Sequence, residues 1–423
     1  MIRQTVLDNG VTVATNSWPA GSAAVGWTLN AGTANEPVGF YGAAHAFEHV
    51  ACNIERIMKP IERMGCDFSA GTNHELIKME AEVWPEKARE TLARLLTHGL
   101  AEPDISAASW QREQPRILME IVEGEQDRMD RMLSESDAFM FGKAPRGRSV
   151  LGTREDVQAL NPEKLRWFHQ HVLTGPAITV CAAGDVRHDM VVKEAFQRLG
   201  HLPRTQLEAP PPSLFRADGM GLMLNDLPGN EIMVQYRTTS RGSPANPVYR
   251  TLQLMLCGDM QSYMFNRLSF REGLVYGLTG DMESWRDDGV LRLNLTTSLD
   301  KSQDALNSFA RQMQRMPEQL TTRDFERVRR KRAFVLQRLD EKPIDWLQQA
   351  AFDLPMYGHV RSMDEIRAAL NSVTLDQVRQ AAADMVQQGA FVTAMGRVEN
   401  LQIIEPFLRT QARRAQRQLT PAA

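Results

Sequence analysis

The chain has 423 residues, a formal net charge of -3, 43% apolar and 24% charged residues, and four cysteines. That length can hold two or three domains with proper cores, and the near-balanced charge argues against a nucleic-acid or anionic-membrane partner. Cys52, Cys66, Cys181 and Cys257 are widely spaced with no C-x-x-C pair. They read as small buried residues rather than a disulfide frame or a thiolate metal site.

From the N-terminus, Val6 to Val11 reads as strand and turn, and no basic-then-apolar signal segment is seen. No apolar run approaches the ~20 residues that span a bilayer. A cytoplasmic protein is expected, or a periplasmic one if a signal peptide has been removed. Val25, Trp27, Leu29 and Ala31 alternate with polar or small residues, which predicts a half-buried strand.

His45-Ala46-Phe47-Glu48-His49 follows. On a helix, residues four apart share a face, so two imidazoles can grip one metal ion with the carboxylate beside them. This is the inverted zinc-protease pattern H-x-x-E-H, with Glu48 as general base. A second strand is expected through Ile77, Met79, Ala81 and Val83, then a helix from Glu86 to Leu96 stopped by Gly99, then one from Pro115 through Met132. A catalytic zinc wants three protein ligands and an open position. Glu120, set among Ile117, Leu118 and Ile121 on an expected buried face, is a candidate third, because a buried carboxylate is costly unless paired or metal-bound.

Glu208-Ala209-Pro210-Pro211-Pro212-Ser213 reads as a stiff linker. The segments before it and at the C-terminus end alike. A helix capped at Asn161 leads to an apolar strand and Gly184, and a helix capped at Thr374 leads to residues 391–398 with Gly396, spacings of 23 and 22 residues. In the second half, residues 284–289 form a hairpin turn, with Leu291, Leu293 and Leu295 on the returning strand. Arg327 to Arg332 reads as a solvated helix face anchored by Phe325, Val328 and Phe334. The fold expected is α+β: two homologous α/β-sandwich domains from a duplication, each an antiparallel-rich sheet with helices on one face. The boundaries are 1–206 for the domain with H-x-x-E-H, 207–214 for the linker, 215–410 for a copy without a metal site, and 411–423 for a disordered tail.

The chain resembles the pitrilysin/insulinase family of zinc peptidases, which includes the mitochondrial processing peptidases. Leu7-Asp8-Asn9-Gly10, Ala31-Gly32-Thr33, Glu36, Gly39 and the H-x-x-E-H helix carry the resemblance, with Leu151-Gly152-Thr153 and Gly184-Asp185-Val186. Gly65 to Glu75 matches the family's substrate-binding strand, with Cys66 and Ser69 in place of its usual Gly and Asn. The resemblance makes Glu120 the third zinc ligand after His45 and His49, with a further glutamate, Glu113, seven residues earlier. Pro115 between them is a departure.

The resemblance implies a clam-shell around an unfolded peptide, which shorter members complete by dimerising. It also implies an Arg/Tyr pair in the facing half that steadies the substrate carbonyl. Tyr276 matches that tyrosine, whereas Ser269 stands at the arginine position, flanked by Arg267 and Arg271. A hydroxyl does not replace a guanidinium fork, and a merely packed Tyr276 is the alternative. The function expected is a zinc endopeptidase acting on extended peptides, with one Zn2+ per chain. It would be the catalytic subunit of a heterodimer whose homologous partner supplies the Arg/Tyr pair, a homodimer being the alternative. A non-catalytic peptide-binding or scaffold subunit is the runner-up. A regulatory zinc site is the third reading, disfavoured because such sites are usually closed by four ligands.

Overall fold

The computed structural model describes residues 1–213, 215, 219–224, 229–339 and 342–397. The expected tail, Val398 and the linker's Leu214 lie outside these residues. The chain forms two compact units. One comprises Met1–Arg128, Arg148–Pro212 and Gln337–Met363, and the other Met129–Gly147, Ser213–Leu336 and Asp364–Ala423.

The first unit holds β1 (Ile2–Val6), β2 (Thr12–Ser17), β3 (Ala23–Leu29), β4 (Asp67–Thr72), β5 (Ile77–Val83) and β6 (Ile178–Gly184), ordered β1-β2-β6-β3-β5-β4. Only the β2–β6 pair is parallel. The second holds β7 (Gly219–Leu224), β8 (Gly229–Arg237), β9 (Gly277–Ser284), β10 (Gly289–Ser298) and β11 (Phe391–Gly396), ordered β7-β11-β8-β10-β9 with only β7–β11 parallel. Without β1 the two orders coincide strand for strand, as a duplication requires. The two helix caps serve alike as well. The Asn161 side chain accepts the Lys164 N–H, and Thr374 forms a reciprocal box with Gln377.

Alternation along the strands divides each sheet into two apolar faces. In the first unit Val13, Val25, Trp27 and Val180 join the main core, while Ala14, Ala24, Cys181 and Ala183 pack under Trp346, Leu347, Ala350 and Leu354 of helix Pro343–Tyr357. In the second, Ile232, Val234 and Leu293 join the main core, while Met233 and Met395 pack on Met132 of helix Arg128–Phe141. So a helix from the second half of the sequence covers the spare face of the first sheet, and one from the first half covers that of the second.

Three local expectations change. The helix expected from Pro115 starts at Ala107, capped by Ser106 accepting the Ser109 N–H, and runs to Gln126 with Pro115 inside it. Gly99 does not stop its helix, since a wider helical turn continues over Leu95–Ala101. A Cβ at Gly99 would stand 2.7 Å from Met79 Sδ, so this glycine admits close packing against the sheet. Phe334, expected as an anchor, is 63% exposed, whereas Phe325 and Val328 are buried.

Candidate metal centre

Helix α1 (Ala43–Ala51) is buried nearly all round. It starts at Gly42 in the left-handed region (φ 83°), where a Cβ would also meet Leu151 O at 2.9 Å. Glycine has no side chain with which to cap the first turn. The buried Glu36 carboxylate does so instead, accepting from Gly42 N at 3.1 Å and Ala44 N at 2.8 Å. Burial pushes Glu36 up to about 8 against the pull of these bonds and of Arg148.

One turn apart on α1, the His45 and His49 rings meet edge to face, with centroids 4.6 Å apart at 76°. Helix α2 (Ala107–Gln126) brings up Glu120, whose Oε2 lies 3.5 Å from His45 Nε2 and 3.3 Å from His49 Nε2. The three ligand atoms lie within 4.8 Å of one another. Ligands held tetrahedrally at roughly 2.0–2.1 Å from zinc stand roughly 3.3 Å apart, so the two contacts to Glu120 have the spacing of a shared ion. Burial, with His49 nearby, lowers His45 to about 3, which keeps it in the neutral form a metal requires. Two imidazoles and a carboxylate fit zinc.

On α2, Glu120 departs from expectation. Glu120, expected on a buried face, has a 43% exposed side chain, while Glu113 is the buried one at 4%. Glu113 Oε1 accepts from Arg112 Nε at 2.9 Å, and its Oε2 from Arg116 Nη1 at 3.1 Å. That second oxygen also lies 3.8 Å from His49 Nδ1, beyond a hydrogen bond but behind the ligand ring. A helix continuous through Pro115 places both glutamates beside α1.

Glu48 lies next to His49 on α1, and its Oε2 accepts from Thr72 Oγ1 at 2.6 Å. Burial raises its pKa, opposed by the Thr72 bond and by His49. Thr72 ends β4, the edge strand of the first sheet. Tyr276 belongs to the second unit and is 72% exposed, so it is not a packed aromatic. Nearby, Ser269 sits half-buried in a wide helical turn, Asn266–Arg271. Arg267 folds back over the Tyr263 ring at 3.6 Å and donates to Gln319 Oε1, whereas Arg271 is exposed. The four cysteines are free, and burial raises the Cys52, Cys181 and Cys257 thiols. The sequence reading passed over the contributions of Thr72 and Glu36. The period of two from Phe68 and Ala70 was the available signal for Thr72.

Residues 11–154 match the model of the insulinase family, peptidase family M16, and residues 159–332 match that of the M16 inactive domain. The chain belongs to the M16 family. A zinc protease of Rickettsia bellii is 24% identical over 403 residues, covering 92% of this chain and 96% of that one. The Arabidopsis thaliana protein named "Probable mitochondrial-processing peptidase subunit beta, mitochondrial" is 24% identical over 433 residues, covering 96% and 80%. Among solved structures, a protease from Helicobacter pylori superposes with a TM-score of 0.83 at 13% identity, covering 93% of this chain and 99% of that one. A chain of complex III2 from Candida albicans gives 0.84 at 16% identity, covering 97% and 100%. These two likenesses show that the fold is shared. Among the described residues no helix is long and apolar enough to cross a membrane.

Proposed function

We propose that this chain is a zinc metalloendopeptidase acting on extended or unfolded peptides. The observation that carries the proposal is the convergence of two imidazole nitrogens and a carboxylate oxygen within 4.8 Å, with Glu48 adjacent on the same helix. His45, His49 and Glu120 would hold the ion, which when bound polarises the scissile carbonyl and acidifies water. Glu48 is the base. Its Oε2 is held by Thr72, which leaves Oε1 to take a proton from the attacking water and deliver it to the departing amine. The free edge of β4, Phe68 to Thr72, offers main-chain groups to an extended peptide, giving affinity with little sequence preference.

Tyr276, exposed and ready to donate from its hydroxyl, is proposed as one half of a carbonyl-steadying pair whose arginine this chain lacks at Ser269. The reading therefore extends to a heterodimer, with a homologous partner presenting both groups to this zinc. The relative named a subunit of a processing peptidase supports that extension. The cytoplasm is the compartment proposed, with the periplasm as the alternative, and the four free cysteines support it.

A non-catalytic peptide-binding or scaffold subunit is the second reading, favoured by the match of residues 159–332 to a domain described as inactive. The test is peptidase assay and metal analysis of the zinc-reconstituted chain, with and without homologues from its host. About one zinc per chain and chelator-sensitive cleavage of unfolded peptides is the expected result. No bound zinc, and no cleavage with any homologue, would contradict it.

A further inference from the structure

Thr72, on the edge strand β4 of the first sheet, hydrogen-bonds the proposed base through its side chain. Side chains of a strand alternate between faces, and Phe68 and Ala70 pack against the main core that includes α1. Thr72 continues that series to the last residue of β4, and its hydroxyl donates to Glu48 Oε2 at 2.6 Å. The backbone there is fixed by pairing of Thr72 with Ile77 on β5, whose side chain is fully buried.

A glutamate on a helix has three rotatable bonds, and α1 alone does not choose among its rotamers. The Thr72 hydroxyl does. It engages one carboxylate oxygen, Oε2, of a residue that directly precedes the ligand His49 on α1.

We propose that Thr72 is a positioning residue for Glu48, tying the base to the strand along which an extended peptide would pair. The proposal rests on the peptidase reading. Occupancy of the β4 edge and placement of the base are then properties of one element, so a peptide seated on the strand meets a carboxylate already in place. A misplacement of about 1 Å at a catalytic group costs on the order of 10²-fold.

The experiment compares Thr72→Val and Thr72→Ser with the parent full-length chain, zinc-loaded and assayed with whichever homologous partner supports activity. Thr72→Val keeps the branched shape and removes the hydroxyl. Its kcat is expected to fall on the order of 10²-fold with KM within about threefold and zinc content unchanged, and Thr72→Ser to recover most of the loss. A crystal structure of each variant reads the same point without activity. Glu48 should leave its position in Thr72→Val and keep it in Thr72→Ser. Unchanged kcat with Glu48 unmoved in Thr72→Val would overturn the proposal, as would equal losses in both variants. A zinc-loaded parent that cleaves nothing overturns the peptidase reading instead, and the positioning of Glu48 is then decided by the crystal structures alone.

Discussion

The Glu36 carboxylate accepts the N–H of Ala44 at 2.8 Å, one residue ahead of His45. It also accepts the Gly42 N–H, so a residue outside the H-x-x-E-H pattern sets where the metal helix begins. A helix cap is worth about 0.5–2 kcal/mol. Glu36→Ala should therefore lower the melting temperature by several degrees and weaken zinc binding, measured by calorimetry and by competition with a chromogenic chelator. Unchanged zinc affinity would mean that α1 holds its register without the cap.

The same carboxylate makes stability depend on pH. Its folded pKa, about 8, lies above the ordinary 4.5. The folded state therefore favours the proton, and this contribution is full below about 4.5 and lost as pH rises through about 8. Glu36→Gln removes the titration. The difference in melting temperature, variant minus parent, should grow more positive between pH 5 and pH 9. A difference that is flat over that range would contradict burial as the dominant influence on Glu36.

Glu113 stands behind His49 and is itself fixed by Arg112 and Arg116. Carboxylates behind metal-bound histidines typically contribute 10–100-fold in metal affinity. Glu113→Ala is expected to weaken zinc binding by roughly that factor, while Glu123→Ala, farther along the same helix, should leave it within about twofold.

How much of this was legible in the sequence follows from the range of the forces involved. The placement of His45 and His49 on one helix, the caps at Asn161 and Thr374, and the existence of β3 and β5 are local and were read directly. By contrast β3, expected to be half-buried, is buried on both faces because helix Pro343–Tyr357 covers its second side. Pro115 and Gly99 were misread because propensity describes an isolated helix. The Ser106 cap and the packing of Gly99 on Met79 override it. Glu120 is more exposed than expected because neighbouring apolar residues do not say which side of a helix meets its neighbour. The exchange of helices Arg128–Phe141 and Pro343–Tyr357 was invisible, since an apolar stripe does not name the sheet it will cover. Phe334 and Tyr276 are exposed for no reason their neighbours in sequence reveal.

Ser269 makes the isolated chain an incomplete catalyst on the proposed reading. Alone it should bind zinc yet cleave slowly. A homologue from the same host that carries the Arg/Tyr pair should raise kcat/KM by about 10²–10³, the usual worth of one oxyanion-stabilising donor. Full activity from the single chain would shift attention to Arg271, whose side chain is exposed, with Arg271→Ala as the check.

The central claim is that His45, His49 and Glu120 bind zinc for Glu48 to use. Glu48→Gln keeps the size of the side chain and its acceptor oxygen for Thr72, and removes the base. The zinc-loaded variant should retain about one zinc per chain and the parent's melting temperature while turnover of an unfolded peptide falls by about 10²–10⁴. Cleavage by the variant at the parent's rate would contradict the account.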